Sequence, residues 1–140
     1  MVQHVIFDSN IWISFAIGKR LNELKTALTH PNVKVYICKK LLREVSGTIQ
    51  KSKFLKYISF ERRQMLLELM KACYCVEIVE QVQISRDPND NFLLDLAVKV
   101  NAGYLITGDQ DLLILKKYHQ TNIISFNSFL AILDTIPLMP

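Results

Sequence analysis

The apolar positions fall into alternating short runs and helical stripes. Val5, Ile6 and Phe7 form a run that stops at the polar triplet Asp8-Ser9-Asn10, which predicts a buried first strand. Residues 11–30 carry helix-like apolar spacing interrupted near Gly18, and Val33 to Cys38 reads as a second strand. From Lys39 to about Lys51 the residues Leu41, Leu42, Val45 and Ile49 share one stripe, the mark of an amphipathic helix. Ser59 offers an N-cap for a further helix through Met65, Leu66, Leu69 and Met70. Val76 to Ile84 alternates as a strand does. Arg86-Asp87-Pro88-Asn89-Asp90 then reads as a turn feeding a helix whose buried face is Leu93, Leu96, Ala97 and Val100. Gly103 ends that helix, Tyr104 to Thr107 is a strand, and Gly108-Asp109 is the loop after it. Leu112 to Leu115, Asn122 to Ser125 and Phe126 to Leu133 complete the pattern as helix, strand and helix. Strands alternating with helices predict an α/β fold, a three-layer α/β/α sandwich around a mainly parallel sheet.

The acids become informative against that layout, because in open parallel sheets the binding crevice lies beyond the carboxyl ends of the strands. Asp8 and Asp109 each directly follow an apolar strand. Asp90 opens a helix and shares a side with Leu94 and Ala97, at i+4 and i+7, which points its carboxylate inward. Glu44, three residues after Leu41, borders the apolar stripe of its helix and can also reach the interior. Carboxylates converging from four segments repel one another, and a divalent cation resolves that conflict. Mg2+ and Mn2+ take hard oxygen ligands, and such ions activate water and stabilise charge in phosphodiester hydrolysis. His4, His30 and His119 fall outside the acidic segments, in keeping with an all-oxygen site.

Each residue also has a plainer reading. Asp8 can be a turn acid with Ser9 or Asn10 as a cap, Asp87 and Asp90 a turn acid and an N-cap, and Glu44 a solvated helix acid. Asp95 and Asp134 read as structural or exposed, and Trp12, Phe15, Phe92 and Phe126 as core. Length and composition add the frame: 140 residues, half of them hydrophobic and 21% charged, suit one domain over residues 1–140. No apolar run reaches membrane-spanning length and no secretory leader is visible. Cys38, Cys73 and Cys75 fit neither a paired zinc spacing nor a disulfide framework, and together these features suggest the cytoplasm. The net charge of +4 is unevenly spread: Lys39, Lys40, Arg43, Lys51, Lys53, Lys56, Arg62 and Arg63 crowd a region whose only acids are Glu44 and Glu61. Such a surface suits a polyanion, the plain alternative being a solvated helical face. Lys51, Lys53, Lys56, Arg62 and Arg63 are the candidate contacts, and Lys116 and Lys117 add a second rim.

Phe7-Asp8-Ser9-Asn10, Leu42-Arg43-Glu44-Val45, Arg86-Asp87-Pro88-Asn89-Asp90-Asn91 and Tyr104-Leu105-Ile106-Thr107-Gly108-Asp109 together resemble the PIN-domain family, in particular the bacterial and archaeal toxin components of toxin–antitoxin pairs. The resemblance spans nearly the whole chain. It implies a PIN-like fold and a ribonuclease that cleaves RNA with Mg2+ or Mn2+. It implies metal-binding acids at Asp8, Glu44, Asp90 and Asp109, supporting polar groups at Asn10 and Thr107, and an additional acid at Asp111. A cognate antitoxin protein and a homodimer or higher homo-oligomer follow as expected partners, with no membrane. Two other readings compete. A phosphoacceptor signalling domain also gathers acids at the carboxyl edge, but it calls for a lysine after a late strand, and here that strand ends in Thr107-Gly108-Asp109. A non-catalytic RNA-binding or protein-interaction module would keep the fold without turnover.

Overall fold

The computed structural model describes residues 2–18, 20–78 and 88–138, with the side chains of 88–91 outside that description. The first strand, β1 (Gln3–Phe7), is followed by α1 (Ser9–Ile17) and α2 (Leu21–Thr29), then β2 (Val33–Ile37). Between β2 and β3 (Tyr74–Cys75) lie α3 (Lys39–Ile49), α4 (Ser52–Leu55) and α5 (Phe60–Lys71). The chain continues through α6 (Pro88–Lys99), β4 (Tyr104–Ile106), α7 (Gln110–Leu113), β5 (Lys117–Tyr118), β6 (Thr121–Ile124) and α8 (Phe126–Leu133). The strands lie in the order β3-β2-β1-β4-β6-β5, all parallel except β5, which runs antiparallel to β6.

Alternation along β1 explains why its apolar run is continuous. Val5 and Phe7 point to one face and His4 and Ile6 to the other. Phe7 meets Trp12 and Phe15 of α1 and Phe126 and Phe129 of α8, all edge-on with centroids 5.4 to 6.2 Å apart. On the opposite face His4 Nδ1 donates to the Val100 carbonyl at 2.7 Å, just past the end of α6. Helices therefore cover both faces, and Val5, Ile6 and Phe7 are all fully buried. The α/β/α sandwich expected from the sequence is the observed fold. No helix among the described residues is long and apolar enough to cross a membrane.

Several element boundaries differ from the sequence pattern. Within the described part of the strand expected over Val76 to Ile84, Val76 to Ile78 carry no strand, and a strand lies just before them at Tyr74–Cys75. The cause is the neighbour: Val76 N–H takes the Ile37 carbonyl at 2.8 Å, and beyond it β2 has already given way to Cys38 and the start of α3. Residues 79–84, with Arg86 and Asp87 of the expected turn, lie outside the described residues. The helix expected at Leu112 to Leu115 starts earlier, at Gln110, because Asp109 caps it. β5 was not legible: it sits between Lys116 and His119, whose positive φ angles of 60° and 54° turn the chain without the usual glycine.

Candidate active site

From β1 the chain adds β2 and β3 on one side, whereas β4 and β6 lie on the other, so the sheet changes direction between β1 and β4. A crevice is expected beyond the carboxyl ends at such a switch point. Asp8 and Thr107 follow those two strands. Asp8 N–H donates to the Ile106 carbonyl at 2.8 Å, and Thr107 N–H to the Ile124 carbonyl at 3.0 Å, which aligns the ends of β1, β4 and β6.

The side chains then join. Asp8 is buried and caps α1, its Oδ1 accepting the Ser9 N–H at 2.6 Å and the Ser9 hydroxyl at 3.2 Å. Its Oδ2 accepts the Thr107 hydroxyl at 2.7 Å. The same Thr107 oxygen accepts the Asp109 N–H at 3.0 Å, and Asp109 Oδ1 accepts the Asp111 N–H at 2.9 Å to cap α7. One fully buried hydroxyl thus ties together two acids that lie far apart in sequence. The cap of α1 is Asp8 itself and not Ser9 or Asn10, and Asp109 caps α7; capping occupies only part of each carboxylate's four lone-pair positions.

Glu44 is half-buried on α3, which starts at the carboxyl end of β2, the strand beside β1. Its charge is felt by Cys38: burial pushes that thiol up, nearby Cys75 and Glu44 add to the rise, and the N–H groups of Leu41 and Lys40 oppose it. Asp90 lies in the first turn of α6, and its side chain lies outside the described residues. Asn10 is exposed on the first turn of α1, and Asp111 is exposed on α7.

Among the described residues no three His, Cys, Asp or Glu side chains gather closely enough to hold a metal ion. The donor chemistry of Asp8 and Asp109 suits a hard cation nonetheless. Asp8 and Asp109 supply oxygen alone, and no lysine, arginine or histidine among the described residues forms an ion pair with either. A buried carboxylate with spare lone pairs and no cationic partner fits Mg2+ or Mn2+, and not a thiolate-seeking metal.

The basic residues divide into two kinds. Lys51, Lys53 and Lys56 are exposed around α4. Arg62 and Arg63 are half-buried and serve the fold: Arg62 Nη1 donates to the Ala16 and Ile17 carbonyls at 3.5 and 3.4 Å, and Arg63 Nη1 to the Ile58 carbonyl at 2.8 Å. Lys39, Lys40 and Arg43 lie in the first turns of α3, which starts at the carboxyl end of β2. Lys40 Nζ stands 4.8 Å over the Phe92 ring. The place of these three cations directly after a strand is a signal legible in the sequence.

A family model described as PIN domain matches residues 4–111. The chain belongs to the PIN-domain family. The PIN-domain match takes in Asp8, Asn10, Glu44, Asp90, Thr107, Asp109 and Asp111, and stops before β5, β6 and α8. PIN domains are generally nucleases, a hydrolase class that typically uses divalent metal ions and acts on RNA. No curated protein matches the chain.

Proposed function

We propose that this PIN domain is a cytoplasmic ribonuclease dependent on Mg2+ or Mn2+, with Asp8, Glu44, Asp90 and Asp109 as its metal-holding acids. The observation that carries the reading is the Thr107 hydroxyl shared between Asp8 and Asp109 at the β1/β4 switch point. A bound divalent ion would supply water activation and stabilise charge on the attacked phosphate. The chain's own contribution is orientation. Thr107 commits its one proton to Asp8 Oδ2, which rules it out as a general acid and makes it a positioning residue. Capping fixes Asp8 at the start of α1 and Asp109 at the start of α7, which supports the two acids as the core of the proposed metal site. Asn10 and Asp111, on the first turns of α1 and α7, are the supporting polar groups of this reading, and the lysines and arginines would offset phosphate charge.

The test is cleavage of labelled single-stranded RNA. Cleavage is expected with Mg2+ or Mn2+, absent in EDTA, and lost by a hundredfold or more in Asp8→Asn, Asp90→Asn and Asp109→Asn. Full activity in EDTA overturns the reading. RNA binding without turnover under every metal condition would return the protein to the non-catalytic class. We further propose, from the family resemblance, that it is the toxin of a toxin–antitoxin pair and a homodimer or higher homo-oligomer. Asp8-dependent growth arrest relieved by an adjacent small gene tests the first, and sedimentation the second.

A further inference from the structure

The corner formed by α4 and the start of α5 exposes rings where a protein normally hides them. Tyr57 and Phe60 are 66% and 65% exposed, and they directly follow the exposed Lys51, Lys53 and Lys56 in sequence. Arg63 holds its guanidinium 5.7 Å from the Phe60 centroid, so a cation already accompanies that ring. Glu61 is the only acid between residues 51 and 63. Flat π-faces set among cations, with almost no opposing charge, match a polyanion that carries unpaired bases.

The corner is joined to the acids through α1. Arg62 ties it to the last carbonyls of α1, the helix that Asp8 begins. Just past α1, Arg20 donates to Asn127 Oδ1 at 2.8 Å and lies 5.0 Å over Phe126, in the first turn of α8 after the carboxyl end of β6. α1 has nine residues, so it spans about 13 Å, a distance covered by about four stacked nucleotides.

We infer that Tyr57 and Phe60 form a stacking platform for single-stranded RNA, holding bases a few nucleotides from the bond cut at the Asp8–Asp109 locus. The inference rests on the ribonuclease reading for its substrate. It differs from a purely electrostatic contact in needing bases and not phosphates alone.

The test is binding of a short labelled oligouridylate in EDTA, alongside the same strand made abasic. Tyr57→Ala and Phe60→Ala are each expected to weaken binding about tenfold on the oligouridylate, with Tyr57→Phe close to wild type. On the abasic strand the alanine variants should bind as wild type does, because only phosphates remain to be held. Lys53→Ala/Lys56→Ala should weaken both strands and lower the salt slope, which the ring variants leave unchanged. Wild-type affinity in the double variant Tyr57→Ala/Phe60→Ala overturns the platform and leaves this apolar corner to a protein partner. Equal losses on both strands overturn it too, since the rings would then act through folding or charge placement. Cleavage in Mg2+ by a wild type that binds no oligouridylate in EDTA would sink the platform while sparing the ribonuclease. Absence of both cleavage and binding sinks the two together.

Discussion

Thr107 has one proton to give and one oxygen to accept with, and both are used. Replacing it by valine keeps the shape but strands Asp8 Oδ2 in a buried place and the Asp109 N–H in a partly buried one. Thr107→Val is therefore expected to cost about 1–3 kcal/mol in urea unfolding without metal, whereas Thr107→Ser stays near wild type. If valine unfolds at the wild-type midpoint, the hydroxyl is not the tie between the acids. Cleavage separates positioning from stability: serine should restore the rate that valine loses, at temperatures where both variants are folded. Asp8 shows the same economy, since the carboxylate that caps α1 is also the one that accepts the Thr107 hydroxyl. Function and local structure compete for the same atoms there, so substitutions at Asp8 will carry both costs.

At the level of elements, the joint between α5 and β3 holds a partly buried thiol. Cys73 donates its thiol to the Leu69 carbonyl at 3.4 Å as α5 ends, and burial pushes it from 9.0 up to about 12. The folded chain thus keeps a proton that the unfolded chain releases above pH 9. Stability from this group is intact below pH 9 and falls as pH rises toward 12, by at most about 1.4 kcal/mol per pH unit. Melting curves between pH 8 and 11 should fall more steeply for wild type than for Cys73→Ala. Parallel curves would assign the alkaline loss to other groups. Cys38 is raised in the same direction and for the same first reason, burial.

For the whole molecule, the net charge of +4 matters less than where the cations stand. Lys39 and Arg43 are exposed on the first turns of α3, beside the strand that carries Asp8. If RNA crosses the carboxyl edge, each phosphate they contact contributes about 0.7 to the slope of log affinity against log salt. Lys39→Ala/Arg43→Ala is expected to reduce that slope by about 1.4 in a titration on single-stranded RNA. An unchanged slope would mean that the strand leaves the site by another path.

What the sequence determined by itself follows from period and position. Continuous apolar runs marked β1 and β4 as buried on both faces, and the polar residues that ended those runs marked Asp8 and Asp109 as candidate ligands. Capping chemistry placed Ser59 at the start of α5, where its hydroxyl accepts the Arg62 N–H. Strand order was not written in any local pattern. Whether β4 joins β1 depends on crossovers spanning most of the chain, and the meeting of Asp8 with Thr107 depends on that pairing. Exposure of Tyr57 and Phe60 was equally hidden, because an aromatic ring in a short helical segment has the same identity whether it faces core or water. The roles of Arg62 and Arg63 as ties to α1 and to the Ile58 carbonyl were hidden too, since a guanidinium's partner is another segment's backbone. Local chemistry thus decided which residues could serve, and long-range packing decided which of them stand together.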